Sequence, residues 1–156
     1  MGKKPQAQWF DRLVENPHVE AIMIADSDGH ILRSSRPLRS DQERVASMFQ
    51  TLMVLAQALA EEVGDHVHNV QLMLELSHVL IFPVADATCF LIVQVERAAP
   101  LLLLGVEFER VIGEISASDI ALLYEQARFD ESNSLNADEL IDAVQEWLRN
   151  RPSGSR

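Results

Sequence analysis

The chain has 156 residues, 47% of them hydrophobic, and its 13 basic and 24 acidic residues give a formal net charge of −11. This length suits one domain with a sizeable core, and the apolar content excludes a chain that is disordered throughout. The negative charge argues against nucleic acid or an anionic membrane surface as the main partner, because both are bound through clustered Lys and Arg.

A single cysteine, Cys89, excludes an intramolecular disulfide, and its apolar neighbours predict a small buried side chain. The N-terminal segment lacks the apolar stretch of a secretory signal, and Gln6 stands where a myristoylation motif needs Ser or Thr. No apolar run is long enough to span a membrane. We therefore expect a cytoplasmic protein without membrane insertion.

The chain opens with a predicted helix and a predicted β-hairpin. Apolar side chains recur at helical spacing over residues 6–15, and apolar stretches on both sides of the segment DSDG predict two strands, from residue 18 to residue 35. The apolar side of the helix consists of Trp9, Phe10, Leu13 and Val14.

The DSDG segment has alternating acids and a glycine, like the start of an EF-hand calcium loop. With Gly29 as the invariant glycine of that loop, the first and last ligand positions fall on Ile24 and Ser35, and neither supplies a carboxylate. The segment therefore predicts a hairpin turn with Gly29 in the left-handed conformation, and no metal site.

The strongest helix signal covers residues 41–63, between a capping box of Ser40 with Glu43 and a stop at Gly64. At 100° per residue, its apolar side chains cover a wider arc than contact with one sheet requires. We therefore expect this helix to contact its own sheet and a second surface. The apolar arc contains Val45, Met48, Phe49, Leu52, Met53, Leu55, Ala56, Leu59 and Ala60.

Three strands follow. Residues 69–76 have an apolar residue at every second position. Residues 78–84 and 88–95 are more continuously apolar, as is typical of central strands covered on both faces. Pro83 is expected at a strand end or at an unpaired position. The side chains expected on one face of the alternating strand are Val70, Leu72, Leu74 and Leu76.

Residues 101–115 predict a helix whose buried side includes Leu103, Val106, Val111 and Ile115. The order over residues 6–115 is then α-β-β-α-β-β-β-α. This order predicts an α/β (α+β) fold in which a five-stranded antiparallel sheet is sandwiched by helices.

Residues 116–150 are predicted to form a helical extension, and residues 151–156 a flexible tail. Ser118 caps a first helix to Arg128, residues 130–134 form a polar linker, and Asn136 with Glu139 starts a second helix. The second helix has an apolar side and must therefore dock on this chain, on a second copy or on a partner. That side consists of Leu140, Ile141, Val144, Trp147 and Leu148.

No sequence motif for nucleotide binding, zinc hydrolysis or serine catalysis is present, so we expect no enzyme activity and no cofactor. His66, His68 and His78 lack the spacing of a metal site and are expected at ordinary loop and strand-end positions. Three arginines, at positions 33, 36 and 39, favour a solvated loop over an arginine finger.

The hairpin VEAIMIADSDGHILRSS, the helix MFQTLMVLAQALAEEVGD and the block VQLMLELSHVLIFPVADATCFLIVQVE resemble the Roadblock/dynein light-chain family, a relative of Longin domains. The resemblance covers about residues 6–115. It implies a small non-enzymatic dimer that serves as a platform for Ras-like small GTPases or as a subunit of dynein or of lysosomal scaffolds. In bacteria it implies a partner of polarity GTPases that in some cases stimulates GTP hydrolysis.

The resemblance also implies that the long helix and the third strand form the contact between subunits. The residues expected at this contact are Met48, Leu52, Leu55, Leu59, Val70, Gln71, Leu72 and Met73. The polar side of the same helix is expected to face the GTPase through Arg44, Ser47, Gln50, Thr51, Val54, Gln57 and Glu61.

The sequence favours a homodimeric adaptor that binds a Ras-like GTPase, without a small-molecule substrate. A secretion-type chaperone for an unfolded effector segment is the alternative, because small acidic dimers with terminal amphipathic helices also fit that class. An enzyme or ligand sensor ranks third, since no set of convergent polar residues is evident. The identity of the GTPase, homo- or heterodimerisation, and the docking site of residues 137–149 stay open.

Overall fold

The computed structural model describes residues 8–36 and 42–150. Over these residues the elements are α1 (Gln8–Val14), β1 (Val19–Asp26), β2 (Ile31–Ser34), α2 (Gln42–Glu62), β3 (Val70–Met73), β4 (Ser77–Val84), β5 (Cys89–Glu96), α3 (Leu101–Gly113) and α4 (Ala117–Arg149). The predicted order up to α3 is confirmed. Ser40, with its predicted capping box, and the tail of residues 151–156 lie outside the described residues.

The five strands form one antiparallel sheet in the order β2-β1-β5-β4-β3. The two most apolar strands, β4 and β5, lie inside the sheet with both faces buried, as their sequences predict. Pro83 lies one residue from the end of β4, beyond the last β3–β4 pair at Ile81, where a missing N–H interrupts no pairing with β3.

Helices cover both faces of the sheet. One core cluster joins one face to α1, α3 and the start of α4, with large buried side chains such as Phe82, Phe108 and Leu123. The second cluster joins the other face to α2 around Met53, Ile81 and Phe90. Alternating residues of the inner strands therefore enter different clusters, as the two faces of a strand require.

The prediction for the C-terminal extension is wrong in two respects. The extension contains one continuous helix, α4, with no linker at residues 130–134 and no second start at Asn136. Its cap is Ser116 and not Ser118: the Ser116 side chain accepts from the Asp119 N–H, and the Asp119 carboxylate accepts from the Ser116 N–H. A polar composition typical of loops does not by itself end a helix, so the local sequence predicted a break that the backbone does not have.

Two further predictions also need correction. In α3, the side chains buried in the core are Leu104 and Phe108, whereas Leu103 and Val106 are exposed. Residues 69–76 do not form one long strand, because β3 ends at Met73 and a tight turn follows, with a hydrogen bond from Leu74 N–H to the Ser77 carbonyl oxygen. Leu76 lies at the turn and is 85% exposed.

Candidate interaction surface

Helix α2 has two apolar sides, and only one of them packs on the sheet. Ala46 and Met53 are fully buried against the sheet, with Phe49 half-buried beside them. The second side forms an outward stripe at spacings of three and four residues, which places its members on one line along the helix. We call this line the α2 stripe; it consists of Met48, Leu52, Leu55 and Leu59, with Val63 directly after the helix.

The α2 stripe is exposed along its length, with Leu55 at 63% and Leu59 at 67% of full exposure. The four residues of α2 that were expected at a subunit contact therefore all lie on the surface of a single chain. Burying such side chains releases about 1.5–3 kcal/mol each. A contiguous row of this kind indicates a surface that binds another protein.

Strand β3 is one edge of the sheet, and within the described residues no strand pairs with its outer side. Its residues alternate: Val70 and Leu72 are half-buried in the α2-side cluster, and Gln71 and Met73 are exposed. An unpaired edge presents free N–H and C=O groups that can accept a further strand. Of the four β3 residues expected at a subunit contact, two therefore face α2 and two face the opposite side of the sheet, along an open edge.

The expected GTPase-facing side of α2 is only partly free. Gln50 donates a hydrogen bond to the Ser27 carbonyl oxygen, and Ser47 lies against Gly29 in the β1–β2 turn. Both side chains are therefore engaged within the chain. Four of the expected residues remain exposed, namely Arg44, Thr51, Val54 and Glu61.

The close approach of Ser47 explains why Gly29 occupies the turn. Gly29 has a φ of +84°, and a Cβ at this position would lie 2.5 Å from the Ser47 Oγ atom. Any residue with a Cβ would be strained by the left-handed backbone conformation and would also collide with the Ser47 side chain. The glycine predicted from the DSDG pattern thus fits a hairpin turn that packs under α2.

The first acid of this turn also has a structural task. One Asp26 carboxylate oxygen, Oδ1, accepts hydrogen bonds from the N–H groups of Asp28 and His30, both at 2.9 Å. Asp26, Asp28 and His30 bring ligand atoms within 4.8 Å of one another. The two backbone donors that Asp26 Oδ1 accepts show that this carboxylate stabilises the turn.

A cavity of about 540 Å³ lies between the C-terminal half of α2 and the β4–β5 turn. Two residues of the expected partner-facing set, Gln57 and Glu61, line it. The opposite wall includes Asp86 in a turn where Ala85, Asp86 and Ala87 all have positive φ. Its other lining residues are Ala60, Asp65, His66, Val67, Pro83 and Ala87.

Of the arginines and histidines considered from the sequence, Arg33, Arg36, His66 and His68 have ordinary surroundings, whereas His78 is buried in β4 and Arg39 lies outside the described residues. The Arg33 guanidinium lies 4.5 Å from the centre of the Phe10 ring and 3.2 Å from an Asp11 carboxylate oxygen. Arg36 donates to the Glu20 carbonyl oxygen. His66 and His68 are exposed, as expected of loop residues.

Cys89 is fully buried, as predicted, and burial raises the pKa of its thiol. Its neighbour Tyr124, on α4, has a pKa raised to about 12, mainly by burial and then by the nearby Cys89 and Asp26. Both groups therefore stay protonated and neutral near pH 7. This pair joins the start of α4 to the end of the sheet that carries the DSDG turn.

One set of surface residues was missed by the sequence interpretation. Leu102, Leu103 and Val106 of α3 are all exposed, although two of them were expected in the core. The run of four leucines from residue 101 gives no clear helical period, because all four positions are equally apolar. In the structure only Leu104 of that run is fully buried.

Every helix over the described residues is too short or too polar to span a bilayer.

These features define a class of protein: a five-stranded antiparallel sheet between helices, with an apolar helix side and an open sheet edge on its surface. A family model described as the Roadblock/LC7 domain matches residues 6–94. The chain belongs to the Roadblock/LC7 family. A comparison with curated proteins gives no match.

Solved structures share this fold at low sequence identity. A Roadblock/LC7 domain from Streptomyces avermitilis is 19% identical with a TM-score of 0.61, over 69% of this chain and 92% of its own. Myxococcus xanthus MglB is 16% identical with a TM-score of 0.60, over 77% of this chain and 87% of its own. An MglB structure described as having a tetrameric arrangement has the same identity and TM-score, over 81% and 95% of the two chains.

Proposed function

We propose that this protein is a non-enzymatic homodimeric adaptor that binds a Ras-like small GTPase and regulates its nucleotide cycle. The observation that carries the proposal is the exposed α2 stripe on a domain whose sheet also ends in the open strand β3. Membership of the Roadblock/LC7 family supports both the dimer and the GTPase, since the resemblance to this family implies a dimeric platform for Ras-like GTPases.

A second copy is the partner that suits the α2 stripe best. A twofold axis brings the same patch of both copies together, so a stripe made only of apolar side chains is complementary to itself. The edge of β3 has the same property, because two identical edges can pair as antiparallel strands. One association would then bury the apolar side chains of the α2 stripe and pair the free backbone N–H and C=O groups of β3.

The GTPase would bind beside the α2 stripe, where α2 carries Arg44, Thr51, Val54 and Glu61 on its surface. At 100° per residue, Val54 and Glu61 lie about 100° and 120° from Leu55, so dimerisation through the stripe leaves them free. Arg44 and Thr51 lie within about 40° of Leu55 and border the stripe. The net charge of −11 would speed the approach of a basic partner surface and would make association slower at high salt.

The dimer is tested by sedimentation equilibrium of the purified chain at 1–50 μM, a range that covers the affinity of ordinary specific interfaces, on the order of micromolar and tighter. We expect a mass of twice the chain mass of 17.5 kDa. A single species of 17.5 kDa across this range would remove the basis of the proposal.

The GTPase is tested by capture from an extract of the source organism on the immobilised dimer. Parallel samples are loaded with GDP or with a non-hydrolysable GTP analogue. We expect a Ras-like protein to be recovered in one nucleotide state at least tenfold more than in the other. Equal recovery would argue against regulation of the nucleotide cycle, and no recovery of any GTPase would argue against the adaptor role.

A further inference from the structure

Helix α3 carries a second exposed apolar surface, on the face of the sheet opposite to α2. Leu102 is 86% exposed and Val106 is 58% exposed, although the same helix buries Leu104 and Phe108 completely. Two exposed aliphatic side chains one turn apart form a continuous patch on a helix. Their position relative to the sheet edge decides what this patch can contact.

Side-chain contacts identify which side of α3 borders β3. Asn69, directly before β3, donates to a Glu109 carboxylate oxygen at 3.4 Å. On the other side, Asn16 donates to Glu107 and Arg12 donates to Glu114, both from the region of α1. The Glu109 side of α3 therefore points to the open edge of the sheet, and the Glu107 side points to α1.

Helical geometry assigns the exposed side chains to these two sides. At 100° per residue, Leu102 lies about 20° from Glu109 around the helix, and Val106 lies about 60° from it. Leu103 lies about 120° from Glu109 and about 40° from Glu107. Leu102 thus belongs to the side that borders β3 and Leu103 to the side that borders α1. Val106, about 60° from Glu109 and about 100° from Glu107, lies on the outer face between them, nearer to the β3 side.

Strand β3 adds a third apolar side chain to the same face. Its Val70 and Leu72 enter the α2-side cluster, so Met73 points to the α3 side, where it is 77% exposed. Met73 is paired with His78, whose Nε2–H donates to the Arg97 carbonyl oxygen at 3.0 Å, four residues before α3 begins. Met73 therefore lies near the N-terminal end of α3, on the same face as Leu102.

We propose that Met73, Leu102 and Val106 form a second part of the contact between two copies of this chain, on the face of the sheet opposite to the α2 stripe. This inference rests on the proposed function, because it extends the same dimer. A standard interface takes about 20–30 residues from each partner, more than the α2 stripe and the four residues of β3 supply.

The physical reason is the need to cover both faces of a sheet where two edges meet. When β3 of one copy pairs with β3 of another, the outer strands become central strands of a continuous sheet. Val70 and Leu72 face α2 on one side of the junction, and Met73 would face water on the other. The Leu102–Val106 patch of the second copy, brought across the twofold axis, would cover Met73.

The test compares the dissociation constant of the dimer in four full-length chains: the natural sequence, the double variant Leu102→Lys with Val106→Lys, Leu103→Lys, and Leu55→Glu. Because all substituted side chains are exposed, the fold should be retained, which is checked by circular dichroism. We expect at least a tenfold weaker dimer for the double variant and less than a twofold change for Leu103→Lys.

A cross-linking experiment gives an independent readout. Leu102→Cys and Leu103→Cys chains are treated with a short bismaleimide, and the buried Cys89 gives little background. We expect covalent dimers from Leu102→Cys and few from Leu103→Cys. An unchanged dissociation constant for the double variant, beside loss of the dimer in Leu55→Glu, would overturn this inference and leave the proposed dimer intact. A monomeric natural sequence would overturn both.

Discussion

The two edge strands of the sheet have different surroundings. At the β2 edge, all four strand residues are half-buried, α4 packs against the strand, and the Arg33 guanidinium lies over the Phe10 ring with Asp11 beside it. At the β3 edge, Met73, Leu74 and Leu76 are exposed, with the α2 stripe above and Leu102 below.

This difference shows that the chain protects one edge of its sheet by itself and leaves the other edge open. A covering helix and charged side chains are the usual devices that prevent an edge strand from pairing with another protein. The β2 edge has both devices. No strand residue of β3 is charged, no helix is packed over its outer side among the described residues, and Met73, Leu74 and Leu76 are exposed beside it.

The largest expected effect concerns the helix that closes the β2 edge. Leu123 is 1% exposed in the core, so Leu123→Ala should lower the free energy of unfolding by about 2–5 kcal/mol. Leu148→Ala, on the exposed distal part of α4, should change it by less than about 0.5 kcal/mol. Urea denaturation at one protein concentration measures both; equal losses would show that the distal half of α4 is also packed.

The second effect concerns the β3 side of the molecule. Leu55→Glu should raise the dissociation constant of the dimer about 100-fold, or about 2.8 kcal/mol, because an unpaired charge would enter an apolar contact. Val54→Glu, one residue away and on another side of α2, should leave the dimer unchanged and weaken capture of the GTPase. Loss of the dimer in both variants would show that the two surfaces are not separate.

The third effect distinguishes two glycines with positive φ. Gly29→Ala should cost about 1–2 kcal/mol for the left-handed conformation and a further amount for the contact with Ser47. Gly64→Ala should cost only the amount for the left-handed conformation, because nothing lies within 4 Å of its added Cβ. Adding Ser47→Ala should recover part of the loss in Gly29→Ala and none in Gly64→Ala, as measured by urea denaturation.

The smallest effect is a titration at the start of α4. Tyr124 is the single tyrosine of the chain, so absorbance at 295 nm follows its ionisation directly. We expect a pKa of about 12 in the folded protein, raised by burial, and about 10 in denaturant. Because the unfolded chain loses this proton first, the free energy of unfolding should fall as pH rises from about 10 to 12. A pKa of 10 in the folded protein would show that Tyr124 is not desolvated.

Periodicity and turn chemistry were sufficient for most of the fold. The alternation and apolar density of β4 and β5 identified inner strands, and the DSDG segment identified a hairpin, because these signals depend on neighbours along the chain. The predictions failed where the decision depended on distant residues: the linker in α4, the length of β3, and the buried side of α3. A polar segment and a run of leucines are each compatible with two local structures.

The sequence by itself determined the order of the elements, the acidic surface and the presence of an α2 helix with more apolar side chains than one sheet can cover. Tertiary structure alone decided which of those side chains stay exposed and which lie in the core. It also placed α3 beside the open edge of β3, and it engaged Ser47 and Gln50 within the chain. Exposure depends on what packs across from a residue, and that partner is separated from it by tens of positions along the chain.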